Sequence, residues 1–315
     1  SIAESLVLNI NLDPGLKYIN IFDLMASVNI VENEAFINHI VLEGKAGQLY
    51  ADGEIEDFFT APVADLKYEY RDFPGVIEDN GFFIEGAPEL NGKIRTKGKK
   101  LDITVLMNMA ESGISYKDIF KKPSGERLRL QSGFSYHLGN VDINWYLLET
   151  SGGALSGTGT IFKTGDTVIN LIGEDIDLKE LRNNFLFIKK YIAKGNMSTR
   201  SVLEKTGDEI DMKVAFDIDN LGIINFEPLA DLYKKLTDKS KSQFNINSVQ
   251  AKLKLTPNQL AVDDLQLKGG DVEGSGKGYY EWRRELDFTL YPRIEGRRIG
   301  LRVYGSTDNV KIGLK

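Results

Sequence analysis

The chain has 315 residues, 42% of them hydrophobic, a formal net charge of −7 and no cysteine. That length suffices for one large or two ordinary domains. The missing cysteines exclude disulfides, thiolate metal sites and a cysteine nucleophile, and fit oxidising and reducing compartments equally. The acidic balance argues against nucleic acid or an anionic membrane surface as the default partner.

No run approaches the roughly 18 consecutive apolar residues that a membrane-crossing helix needs. The chain opens at Ser1 without a basic and apolar leader, so it reads as a piece of a longer protein whose membrane anchor or export signal lies outside it.

Period-two alternation, which puts apolar side chains on one face of a strand, recurs along the chain. It starts at Leu6, Leu8, Ile10 and Leu12, before a turn at Asp13-Pro-Gly15. It returns at Leu66, Tyr68 and Tyr70, and at Leu101, Ile103, Val105 and Met107. After the turn residues Lys163-Thr-Gly-Asp-Thr167, residues 178 to 193 set Leu181, Phe185, Ile188 and Ile192 at helical spacing. A strand follows at Ile210, Met212, Val214, Phe216 and Ile218, then a second helix from Pro228 to Ser240, with proline in a permitted first-turn position. The closing stripes are Val249, Ala251, Leu253, Leu255; Leu286, Phe288, Leu290; and Val310, Ile312, Leu314. The pattern predicts antiparallel strands with two short helices.

An internal repeat places an apolar residue, two others, then apolar residues at alternate positions, then Gly or Thr, and a glycine further on. Its copies are Ile37, Ile40, Leu42, Gly44, Gly53; Ile143, Tyr146, Leu148, Thr150, Gly159; and Val262, Leu265, Leu267, Gly269, Gly278. Each reads as part of a meander in which glycine serves a turn or bulge.

No chemistry-bearing motif emerges. His39 and His137 lie far apart in strand-like runs, and no Gly-x-Ser-x-Gly elbow is present. The run from Gly269 to Gly278 misses the phosphate-loop pattern at Asp271 and Gly278, so its glycines read as turn residues. Acidic clusters at 32–34, 52–57 and 208–211 lack calcium-loop spacing. Basic clusters at 93–100 and 293–302 read as solvent faces of strands that discourage edge pairing. No cofactor, metal or catalytic residue is expected.

Many one-sided apolar stripes and only two short helices leave a face to be buried, in a two-sheet sandwich or in a trough covered partly by a ligand. Leu260-Ala-Val-Asp-Asp-Leu-Gln-Leu-Lys-Gly269, Gly274-Ser-Gly-Lys-Gly278, Leu286-Asp-Phe-Thr-Leu290 and Leu301-Arg-Val-Tyr-Gly305-Ser-Thr-Asp-Asn-Val310 resemble the carboxy-terminal region of the bacterial AsmA-like family, relatives of TamB and YhdP. Asn309 stands where that family usually has proline. The helix-bearing stretch 176–236 is also similar, whereas the amino-terminal half matches only through the repeat.

The resemblance implies a mainly β fold: an elongated, twisted antiparallel sheet curled into a half-pipe, or β-groove, with residues 1–175 a repeating segment and 176–315 the family's carboxy-terminal segment. It implies a bridge-like lipid-transfer protein of the cell envelope, periplasmic and anchored to the inner membrane through a segment absent from this chain. Phospholipid or other acyl chains would lie along the groove, with envelope proteins at its ends. The inward-facing candidates are Leu66, Tyr68, Ile210, Met212, Val214, Phe216, Ile218, Leu286, Phe288 and Leu290. A scaffold that docks protein partners through sheet edges is the alternative.

Overall fold

A computed structural model describes residues 4–11, 21–44, 47–71, 75–79, 81–117, 119–282, 285–306 and 309–315. Among these the chain is mainly antiparallel β, in two compact units, Ser1–Thr150 with Thr158–Lys163 and Ser151–Gly157 with Thr164–Lys315.

The first unit contains β1 (Glu4–Asn11), β2 (Ile21–Val31), β3 (Glu34–Gly44), β4 (Gly47–Glu56), β5 (Val63–Arg71), β6 (Val76–Asp79), β7 (Phe82–Glu85), β8 (Glu89–Lys97), β9 (Lys100–Asn108), β10 (Gly113–Tyr116), β11 (Phe120–Lys122), β12 (Leu128–His137) and β13 (Asn140–Thr150). Its main sheet runs β1-β2-β3-β4-β5-β8-β9-β12-β13, each strand antiparallel to the next. The basic strand β8 therefore lies inside the sheet between β5 and β9, which corrects the edge-guarding role expected of Lys93 to Lys100.

Two hairpins leave the main sheet after β5 and after β9 and pair as a small sheet, β6-β7-β10-β11. Lys122 on β11 ties this sheet down. Its side chain is 2% exposed, and its ammonium donates to the carbonyls of Ala110 at 3.0 Å, Ser112 at 2.7 Å and Pro123 at 3.0 Å. Burial pushes its pKa down, while Glu126 and Glu111 oppose that shift.

β14 (Gly153–Ile161) is divided between the units. The second unit contains β15 (Thr167–Asp177), α1 (Leu178–Leu181), α2 (Leu186–Tyr191), β16 (Ile192–Thr206), β17 (Glu209–Ile224), α3 (Glu227–Thr237), β18 (Gln243–Leu255), β19 (Gln259–Gly270), β20 (Glu273–Glu281), β21 (Leu286–Ile294), β22 (Arg297–Arg298), β23 (Leu301–Ser306) and β24 (Asn309–Leu314). Strands β15 to β21 pair in sequence, β21 then pairs with β23, and β23 with β24.

Three helices replace the two expected. The stretch read as one helix from 178 to 193 breaks in a turn at 182–184, where the Asn184 and Phe185 N–H groups both donate to the Leu181 carbonyl at 3.0 Å and asparagine is a weak helix former, and residues 192 and 193 already belong to β16. The helical spacing nonetheless identified the right side chains: Leu181, Phe185, Ile188 and Ile192 all join one core. Asp177 caps α1 by accepting from the Lys179 N–H at 2.7 Å. The second expected helix is α3, which ends at Thr237 before a left-handed Asp238.

That core gathers Ile176, Leu178, Leu181, Ile218, Leu221, Tyr233, Phe244, Ile246, Val249, Val272 and Ile294 beneath the helices. Tyr233 packs edge-on to Phe244 with ring centroids 5.5 Å apart and donates to the Glu295 carboxylate at 3.1 Å. The turn expected at Lys163 to Thr167 is present, with Gly165 at φ +88°. Leu12 and the turn Asp13-Pro-Gly15 fall outside the described residues.

The repeat has a structural meaning. Its uneven first step is a β-bulge in each copy: pairing slips at Asn38 between β2 and β3, at Asn144 between β12 and β13, and at Asp263 between β18 and β19. The extra residue restores the face of the apolar positions on either side, so that Ile37 and Ile40 point the same way despite odd spacing. The repeat's final glycine pairs with its first apolar residue, Gly53 with Ile37 and Gly278 with Val262. At Gly53 a Cβ would lie 2.2 Å from the Asp65 carbonyl oxygen, so only glycine fits.

Candidate functional site

Register turns the separate stripes into continuous rows. In the second unit, Ile169, Leu203, Met212, Leu255, Leu260, Tyr280 and Leu286 form one row across β15 to β21. The next holds Leu171, Ser201, Val214, Leu253, Val262, Gly278, Phe288 and Val303, and the one after holds Gly173, Thr199, Phe216, Ala251, Leu265, Gly276, Leu290 and Leu301. Large side chains lean over glycines here: a Cβ at Gly278 would meet the Phe288 ring at 2.6 Å, and one at Gly276 would meet Leu290 at 2.5 Å.

The structure thus places Met212, Val214, Phe216, Ile218, Leu286, Phe288 and Leu290 on one face. Met212, Val214, Phe216, Leu286, Phe288 and Leu290 are half-buried, and Ile218 is buried in the core under the helices. Ile210 stands apart: it pairs with Lys205 beyond the end of the β17–β18 pairing and is 41% exposed. The other face carries Asp211, Lys213 and Asp217 of β17 and Lys252, Lys254 and Gln250 of β18, with ion pairs such as Lys254 to Asp211 at 2.9 Å.

The first unit repeats this arrangement. Leu24, Leu42, Leu49, Tyr70, Leu90, Met107, Leu130 and Leu148 lie in one row, and Val28, Ile37, Gly53, Leu66, Ile94, Ile103, Phe134 and Ile143 in another. Tyr68 lies in the row between them, over Gly92, and donates to the Thr104 carbonyl at 2.9 Å. Burial raises the phenol pKa of Tyr68, Tyr70 and Tyr146 above 10.0, as expected for hydroxyls on an apolar face. Among its described residues this unit has no helix.

Sequence reading found the stripes on β1, β5, β9, β17, β18, β21 and β24 but missed those on β2, β8, β12, β15 and β16, the last with Thr199 and Ser201 among its row members. No group of three or more His, Asp or Glu side chains able to hold a metal occurs among the described residues. No helix among them is long and apolar enough to cross a membrane. Comparison with protein-family models, with curated proteins and with solved structures finds no match.

Proposed function

We propose that the apolar sheet faces carry acyl chains, making this chain a non-catalytic lipid-binding and lipid-transfer segment of the AsmA-like kind. In this reading the sheet is elongated, twisted and curled into a half-pipe. It works in the periplasm, passing phospholipid between inner and outer membranes, and is held by an anchor outside this chain.

The observation that supports it is the run of half-buried apolar rows across β15 to β23, with the helix-covered core at only one end of them, near Ile218 and Val249. Each buried CH₂ of an acyl tail contributes about 0.8 kcal/mol, so a continuous apolar row lowers the barrier to crossing water without a tight, specific pocket.

The test is transfer of a fluorescent phospholipid between donor and acceptor vesicles. Val214→Glu and Phe288→Glu each place a charge in the middle row and should cut the transfer rate at least several-fold while circular dichroism stays unchanged. A folded wild-type protein that carries no extractable lipid and moves none between vesicles refutes the reading.

A further inference from the structure

The opposite, polar face of the first unit carries a second feature. One row there runs Asp52, Lys67, Lys93, Thr104, Gly133, Trp145 from β4 to β13. Lys67 and Lys93 are directly cross-strand, with Asp52 on the other side of Lys67, and neither ammonium makes an ion pair or hydrogen bond with a described residue. Like charges so placed repel, and neighbouring strands hold their backbones only about 4.8 Å apart. Lys67 and Lys93 line a hollow of about 570 Å³, together with Arg129, Asn91, Gln131 and Trp145. An adjoining hollow of about 1040 Å³ shares Lys67 and Lys93 and extends to Tyr50 and His39. In the smaller hollow Lys67, Lys93, Arg71 and Arg129 face Asp52 and Glu69, with Arg71 already paired to Glu69, and the larger hollow adds the carboxylates of Glu54 and Asp65.

Trp145 supplies a platform. It follows the bulge at Asn144, and bulges re-aim the side chains beside them. The five-membered ring of its indole fills the space that a side chain at Gly133 would occupy, with Nε1 2.6 Å from a Cβ built there, yet the residue is 43% exposed. One ring face is thus set on the sheet and another is open to the hollow. His39 follows the equivalent bulge at Asn38 and lines the far hollow.

We infer that this polar face binds an acidic oligosaccharide laid across the strands. A sugar ring would pack on Trp145, its hydroxyls would meet Asn91, Thr104 and Gln131, and a carboxylate or phosphate further along would relieve the repulsion between Lys67 and Lys93. From β5 to β13 the row crosses four strand spacings, roughly 19 Å at about 4.8 Å each, which suits several linked sugars rather than one. A nucleic acid, charged at every residue, fits less well, because Asp52 and Glu69 interrupt the cations and one indole is the platform. The site lies on the face opposite the acyl rows and does not depend on the lipid reading.

The test uses the full chain carrying Trp282→Phe, which leaves Trp145 as the only indole. Tetragalacturonate, uncharged maltotetraose, inorganic phosphate and an oligothymidylate are titrated against its fluorescence. Tetragalacturonate should perturb Trp145 saturably, bind at least tenfold more tightly than maltotetraose, and weaken at least tenfold in Lys67→Ala/Lys93→Ala. Without ligand that double variant should keep or raise its urea midpoint, since repulsion is removed. The inference is overturned if tetragalacturonate has no effect, if the double variant binds it equally, if the double variant loses stability, or if phosphate or oligothymidylate binds more tightly.

Discussion

Asp271, in the turn between β19 and β20, shows how single side chains hold the sheet ends. One carboxylate oxygen takes the Lys241 ammonium and the other accepts the Asn245 N–H at 2.8 Å, fastening the turn to β18. Burial works against its ionisation, but the hydrogen bonds from Lys241 and Asn245 and the Lys241 charge outweigh that and hold its pKa below 3.8. A carboxyl depressed in the folded state adds stability that is complete above its unfolded pKa and disappears as pH falls through the folded one. Asp271→Asn should therefore cost about 1 kcal/mol near neutral pH. The gap from wild type should close as pH drops below about 4, measured by urea unfolding across that range. A gap that persists undiminished in acid would assign the loss to something other than charge. The Gly269 to Gly278 run, whose glycines read as turn residues, spans this turn, with Gly269 and Gly270 at φ +69° and +85° leading into it.

At the scale of elements, the bulges decide which face each strand shows. Asn144 has no partner in the β12–β13 ladder, and its side chain donates to the Ser135 hydroxyl at 2.7 Å, which donates in turn to Asp102 at 2.5 Å. Deleting Asn144 would turn residues 140–143 over, setting Ile143 among polar groups and Asp142 in the apolar row. Deletion should cost on the order of 4 kcal/mol. Asn144→Ala, which keeps the residue count, should cost about 1 kcal/mol. Urea midpoints of the two variants separate these effects, and equal losses would mean that the bulge does not set the register. The repeat was legible in sequence as a spacing, and its glycines pointed to turns or bulges. That the bulge falls at Asn38, Asn144 and Asp263 was not legible, because a skipped residue in a ladder is defined by the neighbouring strand. The broken helix was hidden for a related reason: periodicity reports which side chains face the core, and it continues in phase across the turn at 182–184 that interrupts the helical backbone.

At the scale of the whole molecule, the half-buried apolar rows predict behaviour without any partner. Native protein in detergent-free buffer should bind the dye ANS with a blue-shifted emission, and a lysophospholipid should displace it, since both compete for the same apolar surface. Native protein that leaves ANS emission unchanged would mean that these rows are covered.

The sequence by itself determined the antiparallel β class, the identity of most apolar stripes and the core-facing side of the helices. Those follow from local periodicity, which needs no knowledge of neighbours. Only the tertiary structure decided that Val214, Leu253, Val262 and Phe288 share a row, and that Lys67 meets Lys93 near Trp145. Both depend on register between strands, which is set by the pairing of residues distant in the chain and by the bulges that shift it.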